Sequence, residues 1–242
     1  MKIFPAVHYS MGGLWVDYDQ MTNIPGLFAA GECDYSQHGA NRLGANSLLS
    51  AVFGGSVAGP NAVKYMKGLS THAEDLDDSI YENEVKLEQE KWEQTLAMKG
   101  TENAYLLHKE LGEWMTDNVT VVRYNDKLEE TDRKIQELME RYENINMDDT
   151  QRWSNQGASF TRQLKNMLYL ARVITLGALQ RNESRGAHYK PDFPERNDEE
   201  FMKTTMAKFD PATGAPIIHY EDIDISLVAP RKRDYSSSKG AK

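Results

Sequence analysis

Cysteine is nearly absent: Cys33 stands alone among 242 residues. A single thiol excludes an internal disulfide and suits a reducing compartment. Long apolar runs are missing too, and no stretch reaches the roughly 18 apolar residues of a membrane-spanning helix. Met1-Lys2-Ile3-Phe4-Pro5 lacks the basic segment and apolar core of a secretory signal. Positive charge is not in excess: 28 Lys and Arg against 37 Asp and Glu leave a net charge of −9. That balance argues against nucleic acid as a partner, because phosphate binding needs clustered cations. Its simplest role is solubility. The one basic cluster, Arg231-Lys232-Arg233, reads as a solvated tail. What is there, 27% charged and 40% hydrophobic residues without an internal repeat, is the composition of a globular protein.

Composition divides the chain into three parts. Residues 1–70 are rich in glycine and poor in charge. Glycine lets a backbone approach a ligand or another element closely, so this density points to a site. Gly26-Leu27-Phe28-Ala29-Ala30-Gly31 is a short apolar run between glycines and predicts a buried strand. Residues 46–58, rich in small side chains, predict a helix able to pack against a sheet or a flat cofactor. Residues 71–182 turn helical in period. Tyr81, Val85, Trp92 and Leu96 form one stripe, and Ala104, Leu107, Leu111 and Trp114 a second. Leu128, Ile135, Leu138 and Tyr142 form a third, with Asp126 and Glu129 spaced as a capping box. Phe160, Leu164, Leu168, Ala171 and Thr175 form the fourth. Gly100 and residues 144–149 read as breaks, so this part is expected to be a helical bundle. In residues 183–242, Asp210-Pro211-Ala212-Thr213-Gly214 is a turn signal between strand-like stretches. Ile223, Ile225 and Leu227 alternate with polar residues as a half-buried strand requires. Residues 236–240 read as a disordered tail.

Two stretches concentrate chemistry. His8-Tyr9-Ser10-Met11-Gly12-Gly13 places a histidine before a glycine pair. A lone histidine is more often structural than functional. The stretch from Gly31 to Leu49 places Glu32, His38 and Arg42 between a strand end and a helix start. Ligands gather at strand ends in open α/β sheets, and a helix N-terminus offers free N–H groups and partial positive charge. Arginine's planar fork matches a carboxylate in two parallel hydrogen bonds. On residue types alone, Arg42 either binds an anionic ligand or pairs with Glu32 or Asp34.

The stretches His8-Tyr9-Ser10-Met11-Gly12-Gly13, Gly31-Glu32 and His38-Gly39-Ala40-Asn41-Arg42-Leu43-Gly44-Ala45-Asn46-Ser47-Leu48-Leu49 resemble the C-terminal half of the succinate dehydrogenase/fumarate reductase flavoprotein family. So does Asn182-Glu183-Ser184-Arg185-Gly186-Ala187-His188-Tyr189-Lys190-Pro191-Asp192-Phe193-Pro194-Glu195-Arg196-Asn197-Asp198. The resemblance is to the bacterial succinate dehydrogenase form. It implies an α+β, predominantly helical fold: a remnant of an FAD-binding α/β domain in 1–70, a helical bundle in 71–182, and a C-terminal β-hairpin region and tail in 183–242.

It also implies oxidation of succinate to fumarate, with electrons passing through FAD to an iron–sulfur subunit, a membrane cytochrome b anchor and quinone. The expected place is the cytoplasmic face of the cell membrane, as a peripheral part of a complex. By resemblance, His8 and Arg42 bind the substrate carboxylates, and Glu32, Ser47 and Leu48 contact the FAD. No metal ligand is assigned. The family's dinucleotide-binding glycine motif, flavin-carrying histidine, proton-transferring arginine and capping domain have no counterpart here. The resemblance therefore implies a piece of a longer flavoprotein that is catalytically silent alone. L-aspartate oxidase and a fumarate reductase flavoprotein are the neighbouring alternatives. A helical interaction module without redox chemistry is the alternative of another class.

Overall fold

The structure is a computed structural model that describes residues 8–231. Residues 5–7 before His8, Lys232 and Arg233 of the basic cluster, and the tail at 236–240 lie outside the described residues. Six α-helices and one hairpin carry the described fold. They are α1 (Asn46–Lys67), α2 (Asp78–Leu96), α3 (Ala104–Met115), α4 (Asn125–Tyr142), α5 (Gln156–Gln180), α6 (Asp198–Phe201), β1 (Lys203–Asp210) and β2 (Ala215–Asp222). The fold is α+β and predominantly helical, as the sequence predicts.

Helices α3, α4 and α5 form the core. Leu107, Ile135, Leu138, Leu164 and Leu168 are buried there, joined by Leu111, Tyr142 and Ile145. The stripe residues of α4 and α5 are those the helical period selects. The loops at the bundle end pair through their backbones. Gly100 N–H donates to Ile145 O (3.0 Å) and Asn146 N–H to Glu102 O (2.8 Å). A Cβ at Gly100 would lie 1.8 Å from Asn144 O, so this break needs glycine for close approach rather than for flexibility.

Elsewhere the structure corrects the sequence reading. Residues 26–31 form no strand; the backbone there makes only one isolated bridge, Phe28 with Met21. Leu27 is exposed, so the run lacks the second buried face that a strand inside a sheet would have. Helix α1 continues past Ala58, through Pro60, to Lys67. Pro60 removes one N–H, and Asn61 Nδ2 donates to Val57 O (3.1 Å) beside the gap. The capping box does not form. Tyr124 is the N-cap and donates or accepts nothing through its side chain, while Asp126 lies inside the helix and accepts from Lys127 N–H. β2 ends at Asp222 because β1 begins at Lys203, its register partner, so Ile223, Ile225 and Leu227 have no strand to pair with and are exposed.

Helix α2 forms where its period predicts, but of its stripe only Leu96 is buried and Trp92 half-buried; Tyr81 and Val85 are exposed. The hairpin turn forms as read, with Gly214 at φ +65° and its N–H donating to Asp210 O (2.8 Å). Two substitutions separate the buried helices from the exposed one. Leu168→Ala is expected to lose about 2–5 kcal/mol through cavity formation, whereas Val85→Ala should change stability by less than about 0.5 kcal/mol. Urea unfolding of both variants checks this; equal losses would show that α2 has a buried partner.

Candidate functional site

The site region is the loop-rich segment before α1 and the first turns of that helix. Its backbone is tied by Leu14 N–H to Cys33 O (2.8 Å) and Tyr35 N–H to Leu14 O (3.1 Å). Gly31 (φ +82°) and Gly54 let the segment lie close on α1: a Cβ on Gly54 would meet Ala30, Gln20 and Gln37 at 3.0–3.2 Å.

Each residue assigned from the sequence has a definite place. His8 is exposed, next to Tyr9. Glu32 sits in the 3-10 turn Gly31–Cys33 and accepts from Ser10 N–H (3.0 Å). Ser47 is half-buried in the first turn of α1, where its carbonyl accepts from Ser50 Oγ–H (2.8 Å). Leu48 projects outward, 78% exposed. Arg42 is half-buried, with its guanidinium over the Tyr9 ring at 4.8 Å. Glu32 and the His8–Ser10 strand of backbone are thus brought together, and Arg42 joins them through Tyr9.

The alternative pairing of Arg42 with an acid is not realised. Asp34 accepts from Ser36 N–H and Oγ–H (both 2.8 Å), and Glu32 accepts from Ser10. Arg42 makes no ion pair among the described residues. Its Nη1 donates to Leu43 O (3.0 Å), and its Nε–H is buried without an acceptor. The other half-buried arginines differ. Arg141, Arg162, Arg172, Arg181, Arg185 and Arg196 all pair with carboxylates. Arg123, held down by burial, spends its donors on Val119 O (2.6 Å) and His188 Nδ1. Arg42 alone in that set has neither a carboxylate partner nor a second protein acceptor, which leaves most of its five donors for a ligand.

The start of α1 supplies a second kind of donor. Its N-cap, Ala45, is left-handed (φ 64°) and offers no side chain to the first-turn amides. Asn46 N–H donates to Leu43 O (3.2 Å), and the first-turn amides that follow it, without a side-chain cap and beside an exposed Leu48, suit the electron-rich edge of a flat, anionic group. That donor set fits a flavin.

The second long motif lies behind the Arg42 loop. Ala187 N–H donates to Ala40 O (2.9 Å), and Gly186, at φ +60°, approaches so closely that a Cβ would lie 2.3 Å from that oxygen. Three buried or half-buried ionisable groups shape this turn. Glu183 is 1% exposed and accepts from Arg181 (2.7 Å), Arg185 (2.8 and 2.9 Å) and Asn197 N–H (2.9 Å). Burial pushes its carboxyl upward, but those donors outweigh burial and hold it below the usual carboxylate range. Lys190, also 1% exposed, donates to Asn125 Oδ1 (2.7 Å), Leu179 O (2.9 Å) and Asn182 Oδ1 (3.0 Å). With no carboxylate on it, burial and Arg123 pull it down to about 8.

His188 Nε2–H donates to Arg181 O (2.9 Å), so Nδ1 is free to accept from Arg123. Burial, helped by the charges of Arg123, Lys190 and Arg181, lowers its pKa to about 4. The resemblance singled out this motif but gave it no place against the Arg42 loop. Nor did the sequence reading select Tyr9, which lies under Arg42, or Ser50, and it gave His38, which is bonded to both, no role of its own. Tyr9 and His38 lie within the two quoted motifs, and Ser50 follows the second by one residue.

Comparison with known proteins covers the same ground. The model of the family described as "Fumarate reductase flavoprotein C-term" matches residues 108–235, and that described as "FAD binding domain" matches residues 1–48. The succinate dehydrogenase flavoprotein subunit of Bacillus subtilis is 73% identical over 242 residues, 100% of this chain and 41% of that protein. The fumarate reductase flavoprotein subunit of Haemophilus influenzae is 36% identical over the whole chain and 40% of its own length. A solved Escherichia coli quinol fumarate reductase superposes with a TM-score of 0.86 at 32% identity, covering 93% of this chain and 38% of that one. The chain thus spans about two fifths of the length of these relatives.

Protonation of His188 gives the region a measurable signature. The folded ring stays neutral down to about 4, while the unfolded ring takes up its proton near 6.5. Folding stability should therefore be complete above pH 6.5 and fall as the pH drops toward 4. Between pH 6.5 and 5 the loss should be about 1–2 kcal/mol, allowing for solvent screening of a half-buried ring. Urea midpoints across that window should slope in the native chain and flatten in His188→Gln; identical slopes would contradict the assignment.

Proposed function

The chain belongs to the succinate dehydrogenase/fumarate reductase flavoprotein family, and from that premise we propose that it forms the substrate-clamping part of a flavoprotein subunit that oxidises succinate to fumarate. In this reading residues 1–70 are the end of an FAD-binding domain, 71–182 a helical bundle, and 183–242 a hairpin region with its tail. The observation that carries the reading is Arg42: a half-buried guanidinium, seated on an aromatic ring, with donors unspent and no carboxylate of its own. A dicarboxylate entering a closed site loses its water and needs charge-assisted donors at each end. Arg42 supplies a fixed plane of donors for one carboxylate, and His8 supplies a donor for the other.

Glu32, Ser47 and Leu48 would hold FAD, with the first-turn amides of α1 facing its electron-rich edge. Bound FAD supplies the hydride acceptor. What this chain contributes is orientation: Arg42 and His8 fix the substrate so that one C–H bond points at that acceptor. No residue here is assigned the proton transfer. Electrons then pass to an iron–sulfur subunit and through a cytochrome b anchor to quinone, with the subunit peripheral on the cytoplasmic face of the membrane. Among the described residues no helix is long and apolar enough to cross a membrane. The direction toward fumarate is favoured over fumarate reduction by the difference between 73% identity to a succinate dehydrogenase subunit and 36% to a fumarate reductase subunit.

Arg42 variants test the assignment in a flavin-loaded subunit carrying this chain. Removing one partner of a buried charge pair costs about 2–5 kcal/mol. Arg42→Ala should lose nearly all of that in kcat/KM for succinate, and Arg42→Lys a part, because lysine keeps the charge and loses the fork. Flavin content should stay level in both. Near-native kcat/KM in Arg42→Ala would make Arg42 a structural residue and remove the clamp.

A further inference from the structure

The ring on which Arg42 is seated, Tyr9, is bonded in turn to two side chains with no role in the reading above, His38 and Ser50. Tyr9 presents its ring face to the Arg42 guanidinium at 4.8 Å. The phenol oxygen of that ring lies 3.2 Å from His38 Nε2 and 3.3 Å from Ser50 Oγ, and His38 Nε2 lies 3.1 Å from Ser50 Oγ. The His38 ring also meets the Tyr9 ring edge-on, with centroids 5.2 Å apart. Ser50 is buried on α1, one turn after Ser47.

Counting protons fixes the direction of these bonds. Ser50 Oγ–H donates to Ser47 O at 2.8 Å, which uses its only proton. Toward Tyr9 and His38 it therefore accepts. The Tyr9 O–H is one donor, and His38 Nε2–H must be the other. With the proton on Nδ1 alone, two lone pairs would face each other at 3.1 Å between His38 and Ser50. The ring of Tyr9 is thus pinned to α1 by its own hydroxyl and by a histidine that donates through Nε2.

We propose that Tyr9, His38 and Ser50 are positioning residues that hold the Arg42 guanidinium in the plane in which it meets a substrate carboxylate. The inference rests on the clamp reading of Arg42. Arg42 has one protein acceptor, the carbonyl of the adjacent Leu43, which leaves its distal torsions unsupported. The Tyr9 ring is the surface that fixes them, and its tether to α1 fixes the ring. His8 precedes Tyr9 in the chain, so the same tether orders both substrate donors.

Binding of malonate, a dicarboxylate without the C–C bond to be oxidised, isolates positioning from chemistry. In a flavin-loaded subunit carrying this chain, malonate affinity is read from the flavin absorbance and flavin content is measured alongside. Tyr9→Leu removes the platform and should weaken malonate about tenfold, the upper part of the range for a cation over an aromatic ring. Tyr9→Phe keeps the ring and loses the tether, for a loss of about threefold. His38→Leu should match Tyr9→Phe. His38→Gln should recover the loss, because its amide places an N–H where Nε2–H stood.

Flavin content should be level throughout, which a merely structural role would not allow. In an Arg42→Ala background, Tyr9→Leu should cost nothing more. If Arg42→Ala weakens malonate and Tyr9→Leu does not, the positioning role is overturned while the clamp stands. If Arg42→Ala leaves malonate affinity unchanged, both are overturned. Should Tyr9→Leu fail to accumulate, the Tyr9→Phe and His38 variants decide: no loss in His38→Leu, or no recovery in His38→Gln, overturns the tether.

Discussion

The buried carboxylate of Glu183 is the interaction on which the arrangement depends. A carboxylate 1% exposed would be costly alone, but this one accepts from two arginines and a backbone amide. Each donor belongs to a different piece of the fold. Arg181 follows α5 and reaches on to Phe201 O (2.9 Å), Lys203 O and Thr205 Oγ1 (3.1 Å), so it ties the bundle to the hairpin. Arg185 also pairs with Asp198 (2.7 Å), and Asn197 N–H begins α6. The turn that Arg185 opens carries Gly186 and Ala187 against Ala40, two residues before Arg42. The helical bundle, the hairpin and the Arg42 loop meet through one acid.

That chain of contacts explains why Arg42 differs from the other half-buried arginines. Six of them pair with carboxylates that hold the fold together, and Arg123 is engaged by Val119 O and His188 Nδ1. Arg42 is held instead by an aromatic ring below it and by a backbone wall behind its loop, neither of which neutralises it. A cation kept in place without being neutralised is what an anionic substrate needs, since displacing a resident carboxylate would cancel much of the binding gain.

The helices of the core were legible because burial leaves a period. Leu128, Ile135, Leu138 and Tyr142 on α4 and Leu164 and Leu168 on α5 are both periodic and buried. The same period on α2 did not report burial, because amphipathic spacing describes a helix and not its partner. The apolar run at residues 26–31 failed for a related reason: strand pairing needs a neighbour, and only one bridge forms there. The turn at Asp210 to Gly214 was legible because its signal is local. The burial of Glu183 and Lys190 was not, since charged residues read as surface until their partners are known. Within the candidate site, Arg42 and His8 stood out through motif resemblance. Tyr9 and Ser50 did not, and His38 stood out only as a member of the Gly31–Leu49 stretch, because a hydrogen-bond triad spread over residues 9 to 50 has no sequence spacing of its own.

Glu183 holds the turn that backs the Arg42 loop. Hydrogen exchange on Glu183→Gln tests it directly, because glutamine keeps the shape and removes the charge shared by Arg181 and Arg185. The account predicts faster exchange at the Ala187 amide and across residues 38–43, with the core amides of Leu164 and Leu168 unchanged. Unchanged protection at Ala187 and 38–43 would contradict it, as would a uniform rise that includes the core of α5.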